Sequence, residues 1–118
     1  MLPKENRLVK KENFERAKRK GVLFQSKSFG FLVFNRKDNL PSRFGTIVST
    51  KVDKRAVKRN WARRIVKEGI RDKLKTARNG LDVAILIKPS IKLAETKEIS
   101  DELTKIFGIA EISTEKPK

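Results

Sequence analysis

The segment that most constrains the fold is a short apolar run, residues 83–87, which lies between Asp82 and Lys88. Asn79 and Gly80 give a turn signal before it, and Pro89 ends it. A nearly continuous apolar run of this length is typical of a strand that is buried on both faces. We therefore expect this strand at the centre of a sheet.

Hydrophobic spacing predicts a helix on each side of the strand region. Residues 10–20 carry a thin apolar face formed by Phe14 and Ala17. Helical spacing returns over residues 95–107, and Gly108 is expected to end that last helix.

Further strands are predicted where aromatic and branched residues are concentrated. Residues 28–35 and 44–49 form two such segments, separated by a string of turn-forming residues. The simplest pairing of these two strands is an antiparallel hairpin. Residues 22–25 allow one more short strand.

The order helix, strand, strand, helix, strand, helix predicts an α+β fold, a small two-layer sandwich with helices packed on a mixed sheet. The chain has 118 residues, of which 37% are hydrophobic, enough for one small core. We expect a single domain over residues 1–108, followed by a polar, flexible tail over residues 109–118.

Charge and composition limit the classes of function that are compatible with this chain. Thirty Lys and Arg residues against 14 Asp and Glu give a net charge of +16, which favours a polyanionic partner. A nucleic acid fits better than a membrane, because the chain has no apolar run of the roughly 18 residues that span a bilayer and no lipid-anchor motif. The charged start lacks a signal-peptide core, so we expect a cytoplasmic protein. Cysteine and histidine are absent, which removes the commonest metal ligands and general base.

The positive charge is concentrated in a predicted helix that begins after Asp53 and runs to about Lys75. Asp53 is expected to cap it. At about 100° per residue the segment has a polar arc beside an apolar arc. The polar arc comprises Arg59, Asn60, Arg63, Arg64, Lys67 and Arg71, and the apolar arc comprises Val57, Trp61, Ala62, Ile65 and Gly69. Basic runs are often only solvated faces, but planar guanidinium groups suit bidentate phosphate contacts, so we favour phosphate binding.

The same segment resembles the signature helix of the bacterial ribonuclease P protein subunit. Residues 56–68 follow that pattern of Ala-Val, Arg-Asn, a basic pair, two hydrophobic residues and a basic-acidic end. Three outlying features agree in order and approximate spacing: Asn6-Arg7-Leu8 ahead of Phe14, Gly45 with Val48-Ser49 ahead of Lys51, and residues 82–89.

The resemblance implies an α+β domain with a left-handed crossover, bound to a catalytic RNA that removes the 5′ leader of precursor tRNA. The partners would be ribonuclease P RNA and precursor tRNA. Magnesium would be held mainly by the RNA, with no organic cofactor and no catalytic residue in this chain. No metal site is assigned, and no homo-oligomer is predicted.

Two surfaces follow from the resemblance. The signature-helix surface would comprise Lys51, Arg55, Arg59, Asn60, Arg63, Arg64 and Lys67, and the leader cleft would comprise Phe14, Lys18, Phe29 and Phe31. Alternation along the strand puts Phe29 and Phe31 on one face and Leu32 and Phe34 on the other, and which face is outward stays open.

The chain departs from the family pattern at two positions. Trp61 stands where the family has a second arginine of the motif, and its helical angle favours the core over RNA stacking. Lys18 stands where a second cleft aromatic is common, so leader binding here is expected to depend more on charge than on stacking.

Three other functions agree less well with the sequence. A ribosomal RNA-binding protein would explain the charge and size but not the signature helix. A helix-turn-helix DNA binder needs a second helix just before the basic one, where the sequence predicts a strand. A self-sufficient nuclease needs clustered carboxylates or a histidine, and the acidic residues are scattered.

Overall fold

The computed structural model describes residues 2–110 and residue 112, without the side chain of Leu93. Short 3-10 turns in this part of the chain lie at Lys4–Asn6, Leu74–Thr76 and Pro89–Leu93. The helices and strands in chain order are α1 (Lys11–Lys20), β1 (Val22–Gln25), β2 (Phe29–Asn35), β3 (Arg43–Ile47), α2 (Ala56–Arg71), β4 (Leu81–Ile87) and α3 (Thr96–Ile109). The predicted α+β class and the short strand at residues 22–25 are confirmed.

The four strands form one mixed sheet in the order β1-β2-β4-β3. β2 runs antiparallel to both β1 and β4, whereas β3 runs parallel to β4, with Gly45 opposite Ala84. The predicted hairpin between β2 and β3 is wrong, because α2 is a crossover that carries the chain from β3 back to the start of β4. β4 lies inside the sheet, as its apolar run predicts.

One face of the sheet packs against α2 and α3. Val83, Ile85 and Ile87 on β4 belong to this core. Phe107 on α3 lies 5.8 Å from the Phe44 ring in a stacked arrangement. These buried aromatics fix α3 across the sheet, since aromatic pairs add specific geometry to apolar burial.

The opposite face packs against α1. Ala17 is fully buried there together with Ala84 and Leu8. Partly buried side chains around this second cluster are Phe14, Leu32, Phe34 and Ile47. Helices therefore cover both faces of the sheet and make three layers, whereas the sequence predicts two. Because β4 is buried on both faces, it is apolar at consecutive positions.

The helix ends differ from those predicted. Arg55, not Asp53, occupies the N-cap position of α2, and its side chain makes no capping hydrogen bond. α2 ends at Arg71, before the 3-10 turn at Leu74–Thr76. α3 continues through Gly108, because the pattern of buried residues that includes Ile106 and Phe107 keeps this turn packed on the core.

The predicted tail begins too early. Ile112 is fully buried, and its main-chain N–H donates to Phe107 O at 2.9 Å. Its carbonyl accepts from the Arg78 N–H at 2.7 Å. The remainder of the predicted tail, residues 111 and 113–118, lies outside the described residues.

Candidate nucleic-acid interface

A glycine allows α1 to lie close to β3. A Cβ atom at Gly45 would come within 2.3 Å of Phe14 Cζ and within 2.7 Å of the Leu8 carbonyl oxygen. Only a residue without a side chain therefore permits this approach. The Leu8 N–H donates to Phe44 O at 3.0 Å, so the N-terminal segment covers the first part of the outer edge of β3.

Beyond that contact, the space between α1, β3 and α2 is open. Two adjoining cavities of about 450 and 420 Å³ share Val9, Phe14, Thr46 and Arg63 in their linings. We call this the α1–β3 groove. Cationic side chains that line it are Arg7, Lys11, Lys18, Arg63 and Lys67. Apolar and aromatic surface beside ammonium and guanidinium groups is the combination that binds single-stranded nucleic acid.

The buried stripe of α2 comprises Ala62, Val66 and Ile70. It is rotated from the predicted apolar arc, and Val57 is 77% exposed. Trp61 is half-buried and packs against the core, which agrees with the core interpretation of this residue.

The residues of the predicted polar arc of α2 fall into two groups. Asn60, Arg64 and Arg71 are exposed, whereas Arg59, Arg63 and Lys67 lie half-buried along one flank of the stripe. The predicted polar arc thus spans from open solvent to the α1–β3 groove.

Arg63 links the two surfaces. Its Nη1 donates to Asn60 Oδ1 at 2.7 Å, and its side chain also lines both cavities of the groove. Because Asn60 holds one end of the guanidinium, the group is oriented before any ligand arrives. Orientation of this kind reduces the side-chain entropy that a phosphate contact would otherwise cost.

The loop before α2 is organised around Asp53. Its carboxylate accepts hydrogen bonds from the Arg55 side chain and, at 2.8 Å, from the Arg55 main-chain N–H. Lys92 Nζ lies 3.7 Å away. The Arg55 hydrogen bonds hold the pKa of Asp53 well below its usual range, with Lys92 adding to the effect. The Arg55 guanidinium is thus occupied within the loop, while Lys51 is exposed just before it.

Arg59 also stabilises this loop. Its Nη1 donates to Asp53 O at 3.0 Å and to Lys54 O at 2.9 Å. These bonds satisfy carbonyl oxygens at the entry to α2. Arg59 therefore has a structural role that a helical wheel does not reveal.

We expect Arg59→Ala to lower the free energy of unfolding by about 1 kcal/mol, because two hydrogen bonds from a charged donor are lost. Arg64→Ala, at an exposed position of the same helix, is the matched control and should stay within about 0.5 kcal/mol of the parent protein. Urea denaturation of both variants measures the difference. Equal stabilities would show that the Arg59 contacts do not contribute to the fold.

Two residues of the predicted leader cleft are placed in the core, so that part of the prediction is wrong. Phe29 and Phe31 are fully buried, and the Phe31 ring lies 5.9 Å from Phe107. Their side chains point to the α2 and α3 side of the sheet, and no base can reach them. The α1 side carries Leu32 and Phe34 instead. Phe14 and Lys18 do line the groove.

A cluster that the sequence does not predict lies at the other end of the α1 face. Asp82 is fully buried and accepts hydrogen bonds from Arg43 Nε at 2.8 Å, Arg43 Nη2 at 2.7 Å and Arg16 Nη2 at 2.9 Å. Arg36 Nε lies 3.5 Å from the same carboxylate. The hydrogen bond to Asp82 raises the pKa of Arg43. Arg16 also lies over the Phe34 ring, 4.7 Å from its centre.

Residues 2–110 and 112 bring together no group of three or more acidic side chains that would hold a metal ion. Within the same residues, no helix is both long and apolar enough to cross a membrane.

Comparison with known proteins identifies the family. A family model described as Ribonuclease P matches residues 2–111. The ribonuclease P protein component of Dictyoglomus thermophilum is 35% identical over 108 residues, which cover 90% of this chain and 88% of that protein. The corresponding protein of Pseudanabaena is 28% identical over 112 residues, with 95% and 97% covered. A solved structure of the Staphylococcus aureus RNase P protein has a TM-score of 0.85 at 25% identity, covering 93% of this chain and 99% of that one. The chain therefore belongs to the ribonuclease P protein component family.

Proposed function

We propose that this protein is the RNA-binding subunit of a cytoplasmic ribonuclease P, where it binds both the catalytic RNA and the 5′ leader of precursor tRNA. The observation that carries the proposal is the position of Arg63, which belongs to the basic face of α2 and also lines the α1–β3 groove. One continuous surface then serves both RNA molecules. The names of the relatives support a role as a component of ribonuclease P.

The exposed face of α2 is assigned to ribonuclease P RNA. Asn60 and Arg64 are exposed there, and Arg63 is held by Asn60 at its border. One guanidinium group can bind two phosphate oxygens at once, and each phosphate that is neutralised releases counterions. Binding through this face would therefore weaken steeply as salt concentration rises.

The α1–β3 groove is assigned to the single-stranded leader. Phe14 supplies a ring face for one base, and Lys11 and Lys18 supply charge for the backbone. Because Phe29 and Phe31 are buried, the strand adds no aromatic platform. This supports a leader site that depends more on charge than on stacking, as Lys18 implies.

Cleavage chemistry is assigned to the RNA partner. The chain has no histidine or cysteine, and its described acidic residues do not form a group that would bind a metal ion. When bound by the RNA, magnesium would activate the water that attacks the phosphodiester. The protein contributes positive charge, which lowers the repulsion between the catalytic RNA and its substrate.

Reconstitution tests whether the RNA performs the cleavage and the protein assists it. Labelled precursor tRNA is incubated with RNA-free protein, with ribonuclease P RNA, and with both. We expect no cleavage by the protein alone, and a lower magnesium requirement for leader removal when the protein is added to the RNA. Metal-dependent cleavage at the mature 5′ end by RNA-free protein would contradict the proposal, as would an unchanged magnesium requirement.

A further inference from the structure

Trp61 lies on the flank of α2 opposite the α1–β3 groove. At about 100° per residue, Trp61 and the groove residue Arg63 are on opposite sides of the buried Ala62. Trp61 is half-buried and packs against the core. Val57, one turn earlier on the same flank, is 77% exposed. The indole therefore lies at the border between the core and solvent.

The indole N–H of Trp61 is a free donor. It makes no hydrogen bond within the part of the chain that the structure describes, where the buried side-chain atoms without a partner are Arg16 Nε, Ser28 Oγ and Arg36 Nε. Because Trp61 Nε1 is not one of these buried atoms, it reaches solvent. An indole N–H can only donate, and a tryptophan usually gives it a partner when the ring is packed. This N–H is thus available to a ligand.

Cations flank the donor on the surface of the helix. Lys58 and Arg64 stand three residues before and after Trp61, the spacing at which helical side chains are neighbours, about 5–6 Å apart at Cβ. Both cations are exposed. Glu68, the acidic residue of α2, is about two turns from Trp61, or about 10 Å along the axis. A donor between two cations favours an anionic acceptor over a neutral one.

We propose that Trp61 is a further RNA-binding residue, whose indole N–H donates to a phosphate oxygen of ribonuclease P RNA. Lys58 and Arg64 attract the phosphate by charge, and the N–H adds a directional bond from a ring that the core already holds in place. The inference rests on the proposed function, because it extends the RNA contact from the exposed face of α2 to the flank opposite the groove.

Intrinsic fluorescence tests whether RNA covers this side chain. The chain has one tryptophan and no tyrosine, so tryptophan emission reports on Trp61 alone. Acrylamide quenching is measured for the full-length protein with and without saturating ribonuclease P RNA. We expect most of the quenching to be lost when the RNA binds, because the RNA then covers the exposed edge of the indole. Quenching that is unchanged in the bound protein would overturn the inference.

Trp61→Phe tests the hydrogen bond itself. It keeps an aromatic ring but removes the N–H, so it should weaken RNA binding about tenfold without changing the dependence of affinity on salt. Arg64→Ala should instead lower that salt dependence by about one ion. Ile65→Val, a half-buried apolar change one turn further on, is the control for packing and should leave RNA affinity unchanged.

Failure of this inference can be distinguished from failure of the proposed function. If Arg64→Ala weakens RNA binding and Trp61→Phe does not, the exposed face of α2 still binds RNA and the role of Trp61 is overturned. Equal losses for Trp61→Phe and Ile65→Val would overturn it as well, since packing would then explain both. If neither Arg64→Ala nor Trp61→Phe changes the affinity, the assignment of α2 to RNA fails, and this inference fails with it.

Discussion

Asp82→Asn is expected to lower the free energy of unfolding by about 3 kcal/mol. Asp82 is fully buried, and Arg16, Arg36 and Arg43 all lie within 3.5 Å of its carboxylate. An amide keeps the shape of the side chain but removes its charge, so the guanidinium groups lose their shared counterion. Breaking a buried ion pair costs about 3–5 kcal/mol, and the lower end applies because the Arg16 and Arg43 side chains are 35% and 25% exposed.

Asp38→Asn is the matched control for this substitution. Asp38 also lies 3.5 Å from Arg36, but its side chain is 35% exposed. Exposed ion pairs contribute less than about 1 kcal/mol, so this variant should remain close to the parent protein in urea denaturation. Similar small losses for both variants would show that the cluster does not hold α1 on the sheet.

Phe31→Ala is expected to cost about 3–5 kcal/mol of stability. The ring is fully buried and makes edge-on contacts with Phe29 at 6.3 Å and with Phe107 at 5.9 Å. Its removal leaves a cavity between β2 and α3. Phe14→Ala, at the half-buried wall of the α1–β3 groove, should cost about 1–2 kcal/mol. Thermal and urea unfolding of both variants measures the difference, and a larger loss for Phe14→Ala than for Phe31→Ala would contradict the assignment of Phe31 to the core and Phe14 to the groove wall.

The elements were predictable where the pattern is local. The apolar run of β4 and the spacing of α1 and α3 each identify their element. The partner of β3 was not predictable, because its pairing with β4 depends on contacts between residues as distant as Gly45 and Ala84. A hairpin is the simplest local solution, and the crossover through α2 replaces it.

Which face of β2 points outward also could not be predicted from the sequence. Phe29 and Phe31 alternate with Gly30 and Leu32, and helices cover both faces of the sheet, so neither face has a polar pattern that would mark solvent. The cluster that Asp82 forms with Arg16, Arg36 and Arg43 could not be predicted for another reason, since its members come from separate parts of the chain. By contrast, the basic positions of α2 lie within one helix, and the motif identifies them directly.

The measurement that tests the central claim most directly is the affinity of the reconstituted holoenzyme for precursor and mature tRNA. With Phe14→Ala we predict that binding of precursor tRNA weakens by about 1–3 kcal/mol, the size of one base–aromatic stack, while binding of mature tRNA is unchanged. Phe34→Ala, a half-buried phenylalanine beneath Arg16 and outside the groove lining, is the control and should change neither affinity. Equal losses for precursor and mature tRNA with Phe14→Ala would contradict a leader site in the α1–β3 groove.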